Sequence, residues 1–369
     1  MGGGAPWPAP SQATLEIDLG AIVANWRGLA ARLAPGAECA AVVKADAYGL
    51  GAAAICPALA AAGCRSFFVA QIAEGVAARA VLGPGAEILV LNGCLAGEEE
   101  IFAAHGLIPV LNDRGQVALV AAYAARTGRR QRAALHLDTG MSRLGLAPDD
   151  ARALAAEPGT LRAIDVVLTM SHLARAEEAC EMNTEQLARF AQLRTAWPAA
   201  PGSLANSSGI FLGPAFHFDL ARPGAALYGI NPVPGRPNPQ RAVVTLTAPV
   251  LQIRDIAPPE TVGYGATFRA AARMRVATVA LGYADGWPRA LSGSGIARFA
   301  GAELPFLGRV SMDTITLDAS GAPSLRVGDR VTLMDDRNPV DEVAAAAGTI
   351  GYEILTGLGR RFARVHHAA

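Results

Sequence analysis

The sequence predicts an α/β chain of two domains: an eight-stranded parallel (β/α)8 barrel followed by a mostly antiparallel β domain. Three observations predict it. Short apolar runs recur eight times between residues 40 and 228, and most are separated by Ala/Leu-rich stretches of helical length. A linker at residues 231–240, NPVPGRPNPQ, carries four prolines in ten residues and stops that rhythm. Beyond it the pattern changes to alternating strands with glycine-rich turns between them. At 369 residues the chain has material for two cores.

In order, residues 14–18 (TLEID) alternate and read as a short strand, and a helix follows over residues 19–33. The barrel runs fall at residues 40–44, 66–70, 87–91, 107–111, 133–138, 164–171, 203–206 and 219–228. Helices are expected at residues 52–62, 71–82, 114–126 and 177–197, and the gap before the last run is too short for a secure one. In the β domain, strands are expected at residues 243–256, 276–282, 297–307, 310–317 and 330–334, with one helix at residues 340–347. The domain plan is therefore a loose tail at residues 1–13, a barrel over residues 14–240 and a β domain over residues 241–369.

Composition narrows the function classes. A net charge of zero argues against a nucleic-acid binder or a membrane-surface protein. No apolar run approaches the ~20 residues of a membrane span. The first residues, MGGGAPWPAPSQA, lack the basic and apolar regions of a signal peptide. Five cysteines (39, 56, 64, 94 and 180) show no metal-site spacing and read as reduced thiols of a cytoplasmic protein.

One residue stands out. Lys44, in CAAVVKADAYGLG, is the only lysine among 32 basic residues. An amine loses its proton when desolvated and condenses with an aldehyde, which a guanidinium does not do. Barrel enzymes carry their sites at the carboxyl ends of the strands. Lys44 and Tyr48 follow the first run there, Arg143 the fifth and His172 the sixth; Asn206, Ser207 and Ser208 end the seventh, and Arg222 and Gly224 lie in the last. Each has an ordinary structural reading. Lys44 would snorkel to solvent, Arg143 would pair with Asp138 at the rim, and His172 would be a satisfied core histidine. Asn206 to Ser208 would cap a helix at Gly209, Arg222 would form a rim ion pair, and Tyr48 would pack with its hydroxyl at an edge. Together, an amine, a serine and glycine cluster suited to phosphate, two arginines and an imidazole describe a pocket for pyridoxal phosphate.

At this point the motifs match a family. AVVKADAYGLG, LDTGMSRLG, ANSSGI, RPGAALYG, VGYGATF, GYADGWPR, GRVSMDTITLD and TIGYE occur in that order, and the chain resembles the alanine racemases from about Leu15 to its C-terminal segment. The resemblance implies pyridoxal 5'-phosphate as cofactor and interconversion of L- and D-alanine by two bases in a homodimer with shared sites. It implies that Lys44 forms the Schiff base and acts as one base, with Tyr264 from the second subunit as the other. Tyr48, Asn206, Ser207, Tyr352, Gly224 and Ala225 would hold the cofactor phosphate region. Arg222 would face the ring nitrogen, and His172 would stack on the ring. Arg143 and the Met312 N–H would seat the substrate carboxylate, and Tyr283 and Asp313 would line the entrance. A tyrosine of ordinary pKa near 10 is a poor base, so a cation must stand near Tyr264.

One departure matters. Where many members carry a carbamylated lysine that braces the arginine of MSRLG, this chain has His136. Either His136 or a bound anion braces Arg143, or His136 is a strand histidine bonded to its surroundings. Three alternatives to an alanine racemase remain: a racemase of broader specificity, a barrel-type pyridoxal-phosphate amino-acid decarboxylase, and a pyridoxal-phosphate-binding protein without catalysis. Arg222 and a cysteine-free β domain argue against the second. The presence of a second domain argues against the third.

Overall fold

The structure is a computed structural model that describes residues 12–197 and 199–368. The expected tail, residues 1–13, lies outside the described residues except for Gln12 and Ala13. The chain divides into two compact units. One is Ile22–Gln240; the other joins the N-terminal strand to the chain from Arg241 onward.

In the first unit seven parallel strands pair in sequence order: Ala41–Val42, Ser66–Val69, Glu87–Val90, Ile108–Leu111, Gln131–His136, Ile164–Met170 and Gly202–Ser203. Leu220–Ala221 closes the ring. It pairs in parallel with Glu38–Cys39, just before Ala41–Val42. On its other side the Asp219 and Arg222 N–H groups donate to the Gly202 and Ala205 carbonyls at 3.0 and 2.8 Å. Ser66–Val69 and Ile108–Leu111 are buried at every position, as strands covered on both faces must be. Helices Ala52–Ala61, Ile72–Leu82, Arg114–Thr127 and Glu181–Arg194 fall where Ala/Leu-rich stretches predict them. The last is shorter than expected. Asn183 holds the preceding loop open by donating to the Arg175 and Glu178 carbonyls at 3.1 and 2.7 Å.

The barrel does not begin at residue 14. Thr14–Asp18 pairs antiparallel with Val244–Ile256 and in parallel with Ala363–His367, so it belongs to the β unit. Its pattern explains this: Leu15 and Ile17 are fully buried while Thr14, Glu16 and Asp18 are not. That alternation suits a sheet with one wet face, not a barrel wall. Val244–Ile256 organises the unit. Its first half pairs with Arg330–Met334, its second with Met274–Val279, and the register shifts between Val250 and Gln252 where it changes neighbour.

Two further expectations are corrected. Residues 297–307 are not one strand but the hairpin Ile296–Phe299 and Ala302–Pro305, turned by Ala300 and Gly301 at φ 48° and 87°. Within residues 310–317 pairing begins only at Ile315, which leaves Met312 and Asp313 on a loop. Helix Val340–Ala347 is as expected, and a second, Gly351–Gly357, follows it. Among the described residues no helix is long and apolar enough to cross a membrane.

Candidate active site

The backbone after Lys44 takes an unusual course. Ala45, Asp46, Ala47 and Tyr48 have φ of 53°, 55°, 53° and 57°, forming one left-handed helical turn that ends at Gly49 with φ 82°. Each such L-residue costs ~1–2 kcal/mol, so the turn persists only where its surroundings fix it. They do so here. Ala47 N–H donates to the Val43 carbonyl at 2.9 Å, and Gly49 N–H to that of Ala45 at 2.7 Å. Glu74 Oε1 accepts Ala45 N–H at 2.6 Å, and Asp46 Oδ1 accepts Ala52 N–H at 2.7 Å. The other Glu74 oxygen accepts the Ala70 and Gln71 N–H groups at 2.8 and 3.0 Å, which ties the turn to the start of the next helix. Loss of solvent, then Arg143, holds the Lys44 ammonium below its ordinary range, and Glu74 opposes this in part. More of the amine is thereby free to act as a nucleophile or base.

The turn carries Tyr48 inward against Tyr228, with ring centroids 4.7 Å apart. Tyr228 is fully buried, and its hydroxyl donates to the Val42 carbonyl at 2.9 Å. A Cβ added at Gly224 would lie 2.5 Å from Tyr48 Oη, so only glycine lets this backbone approach. Ser207 Oγ accepts the Gly224 and Ala226 N–H groups at 3.0 and 3.1 Å. Ser207, Gly224, Ala225 and Tyr48 thus converge. Asn206 does what a cap does, as its Oδ1 accepts Gly209 N–H at 2.8 Å. The cap reading therefore holds for Asn206, while Ser207 turns its hydroxyl to the Gly224 loop.

Arg222 is buried, and its guanidinium donates only to neutral acceptors: Ser203 Oγ, the Ser171 carbonyl at 2.6 Å and His172 Nδ1 at 3.4 Å. Burial pushes Arg222 down to about 9, so it stays charged at neutral pH. The rim ion pair expected for it is not found among the described residues. Because Arg222 can only donate, His172 accepts at Nδ1 and carries its proton at Nε2. Loss of solvent, then Arg222, Arg143, His136 and Lys44, hold His172 neutral, well below its ordinary range.

His136 lies on the barrel wall with its Nδ1 2.8 Å from Asn112 Oδ1. The Asn112 amide nitrogen is committed to the Leu91 and Val110 carbonyls at 3.0 and 2.9 Å, so its oxygen accepts and His136 Nδ1 donates. Burial first, then Arg222, with Arg143 also contributing and Asp138 opposing, pushes His136 down to about 4. Arg143 is exposed on the loop that follows. Asp138 is not its ion partner: Asp138 Oδ1 accepts the N–H groups of Gly140, Met141 and Ser142 at 2.9, 3.0 and 3.2 Å and shapes the loop instead. Asn112 and Gln186, fully or nearly buried amides that organise this rim, were not singled out from sequence. Their amides sit among ordinary helix and strand residues and carry no motif.

Five expected site residues lie in the β unit. Tyr264 opens a short turn between strands Thr261–Val262 and Phe268–Arg269, and is 72% exposed. Arg309 Nη1 packs against this turn, 3.3 Å from where a Cβ on Gly265 would stand. Tyr283 and Met312 are exposed on two loops joined by backbone bonds, Tyr283 N–H to the Ser311 carbonyl at 3.0 Å and Ala284 N–H to that of Met312 at 2.9 Å. Arg361 bridges Asp285 and Asp313 at 3.2 and 2.8 Å. Tyr352 is half-buried on helix Gly351–Gly357.

Comparison with known proteins agrees with this geometry. The family model for the alanine racemase N-terminal domain matches residues 17–232, and that for the C-terminal domain matches residues 243–366. The chain is 52% identical over 355 residues to an alanine racemase of Acidiphilium cryptum, covering 95% of this chain and 98% of that one. It is 51% identical over 364 residues to a catabolic alanine racemase of Mesorhizobium japonicum, covering 97% and 95%. The crystal structure of alanine racemase from Bartonella henselae, with covalently bound pyridoxal phosphate, superposes with a TM-score of 0.93 at 43% identity, covering 97% of this chain and all of that one. The order of motifs, the barrel with its lone amine and the matches along nearly the whole chain agree: this protein belongs to the alanine racemase family.

Proposed function

We propose that the chain interconverts L- and D-alanine using pyridoxal 5'-phosphate held at Lys44, and that it works as a homodimer in which each β unit serves the neighbouring barrel. One observation carries the reading. Arg222 is a buried cation whose hydrogen-bond partners are all neutral, in a cluster with Lys44 and Arg143. The two carboxylates that influence this cluster, Asp138 and Glu74, are engaged by backbone N–H groups. Lys44, Arg143 and Arg222 together leave this rim positive, which suits a ligand that brings a phosphate ester and an amino-acid carboxylate to it. The barrel residues fit the cofactor: one amine of lowered pKa, and beside it a backbone approach at Gly224 that any side chain would fill.

When bound, the cofactor withdraws electrons from the substrate Cα and makes its hydrogen acidic. The protein residues do the rest. Lys44 takes or returns the proton on one face, and Tyr264 of the second copy returns or takes it on the other. Neither face has to turn, so the product leaves with inverted configuration. Ser207, the backbone at Gly224 and Ala225, and Tyr48 would anchor the phosphate. Arg222, a guanidinium that keeps its own proton, would face the ring nitrogen without giving that proton to it. That confines charge near Cα and disfavours side reactions. His172, neutral and fixed by Arg222, presents its ring as a stacking face. Arg143 and the Met312 N–H of the second copy seat the carboxylate, with Tyr283 and Asp313 along the entrance. The exposure of Tyr264, Tyr283 and Met312 supports a second copy covering them. Buried thiols without a bridge support a reducing compartment such as the cytoplasm.

The test is borohydride reduction of the cofactor-loaded protein, peptide mass analysis and an alanine racemisation assay. The reading expects reduced cofactor on the Lys44 peptide and turnover in both directions. It also expects Tyr264→Phe to keep the visible absorbance and lose at least ~10²-fold in kcat. A protein that takes up no cofactor, or a Tyr264→Phe variant as active as wild type, would overturn it.

A further inference from the structure

We infer that Gln186, on helix Glu181–Arg194, is the positioning residue that holds the Arg143 loop and the His172 segment in register with each other. The side chain is fully buried, and all its hydrogen bonds go to those two segments. Its amide nitrogen donates to Thr139 Oγ1 at 3.2 Å and to the His172 carbonyl at 2.9 Å. Its amide oxygen accepts Ala174 N–H at 2.9 Å. Two donor bonds and one acceptor bond of a single side chain therefore join the start of the loop carrying Arg143 to His172 and Ala174.

The neighbours reinforce this link. Thr139 Oγ1 and Ser171 Oγ lie 2.7 Å apart, a second link between the same two segments. Arg189, one turn further along the same helix, donates to the Thr139 carbonyl at 3.2 Å. Ser171 in turn gives its carbonyl to Arg222. The helix thus touches none of the charged groups, yet fixes the segments that present Arg143, His172 and Arg222. The loop needs such a support. Arg143 is exposed, Ser142 before it has φ 54°, and Asp138 shapes the loop only from its own end. Without Gln186 the loop keeps its local turn and is left with the Thr139–Ser171 bond as its side-chain tie to the His172 segment. Catalysis is sensitive to such shifts, since a misplacement of ~1 Å costs up to ~10²-fold in rate.

The positioning role rests on the racemisation proposed above, so the test pairs a kinetic readout with one that is independent of turnover. Thr139→Val removes the loop hydroxyl that Gln186 and Ser171 both bond and leaves the Gln186–His172 bond; Thr139→Ser keeps that hydroxyl. We expect Thr139→Val to raise KM for alanine about tenfold with kcat and cofactor absorbance little changed, and Thr139→Ser to stay near wild type. Gln186→Leu releases both segments, so it is expected to raise KM and lower kcat. Hydrogen exchange by mass spectrometry on Gln186→Leu should show peptides covering residues 139–146 and 171–174 exchanging about tenfold faster, with the other barrel strands unchanged. Unchanged exchange at both segments would overturn the inference, as would uniform acceleration across the barrel. A Thr139→Val KM equal to that of Thr139→Ser would also overturn it. If the wild-type protein lacks racemase activity while the local exchange effect appears, the proposed function fails and the structural link stands.

Discussion

His136 should make the protein sensitive to acid. Its Nδ1 is committed as a donor to Asn112, so a second proton can enter only at Nε2, beside the fields of Arg222 and Arg143. The folded histidine titrates at about 4, against 6.5 for an unperturbed one. Between those values the unfolded chain binds a proton that the folded one refuses. Stability is therefore intact above 6.5 and is lost as pH falls toward 4. At 1.36 kcal/mol per pH unit the full loss is about 3 kcal/mol, of which about 2.5 has appeared by pH 4.5. His136→Asn keeps a donor where Nδ1 stands and has nothing to titrate. Urea unfolding of both proteins, followed by fluorescence from pH 7.5 to 4.5 at one protein concentration, isolates the contribution from that of His172, which both proteins retain. The wild-type stability should fall about 2.5 kcal/mol further than that of the variant over this range. Parallel pH dependences would refute the argument and show that this histidine accepts its second proton freely.

Four other outcomes follow from the same geometry. Mixing Lys44→Arg with Tyr264→Phe after subunit exchange should restore about a quarter of wild-type activity, because half the dimers then hold one intact site; no restoration would place both bases in one chain. Gly224→Ala drives a methyl into Tyr48 Oη, an overpacking of ~1–3 kcal/mol, so spectrophotometric titration with the cofactor should give a Kd raised roughly 10- to 100-fold. Ala45→Gly should stabilise the protein by ~1 kcal/mol in thermal unfolding, since Ala45 is exposed and its φ of 53° favours glycine. Arg361→Ala frees Asp313 and the nearly buried Asp285, and should raise KM for alanine severalfold with little change in cofactor absorbance.

The barrel was legible because parallel strands covered on both faces are written as short apolar runs, and the helices between them as Ala/Leu-rich stretches. The same rule explains the misplacement of residues 14–18: their alternation was visible, but which sheet accepts the strand is decided by Val244–Ile256 and Ala363–His367, hundreds of residues away. Ala300 and Gly301 split an expected strand because a two-residue turn leaves little trace in an apolar window. In the site, Lys44, Arg222 and Ser207 were legible from residue type and strand position. Asp138, Asn112 and Gln186 were not, because what they do is a matter of which N–H or carbonyl they reach. A carboxylate near an arginine reads as an ion pair until three backbone N–H groups are found on one of its oxygens.

The left-handed turn after Lys44 joins the two kinds of information. The motif KADAYGLG contains two alanines, an aspartate and a tyrosine where the backbone would favour glycine, so local preference opposes the conformation. Each of its residues can be given a reason. Ala45 presents its N–H to Glu74. Asp46 caps the helix that begins at Ala52. Ala47 is fully buried, and Tyr48 reaches Gly224. A right-handed turn over the same residues would send Tyr48 elsewhere and break the bonds to Glu74. The strain of the turn, several kcal/mol at ~1–2 per residue, is thus a consequence of placing one amine and one phenol a few residues apart at the same rim. Glu74 is the residue on which this depends most. It anchors the turn, starts the next helix and lends Lys44 the one negative charge that opposes its loss of a proton. Removing that carboxylate would therefore disturb the aim of the lysine and its protonation at once.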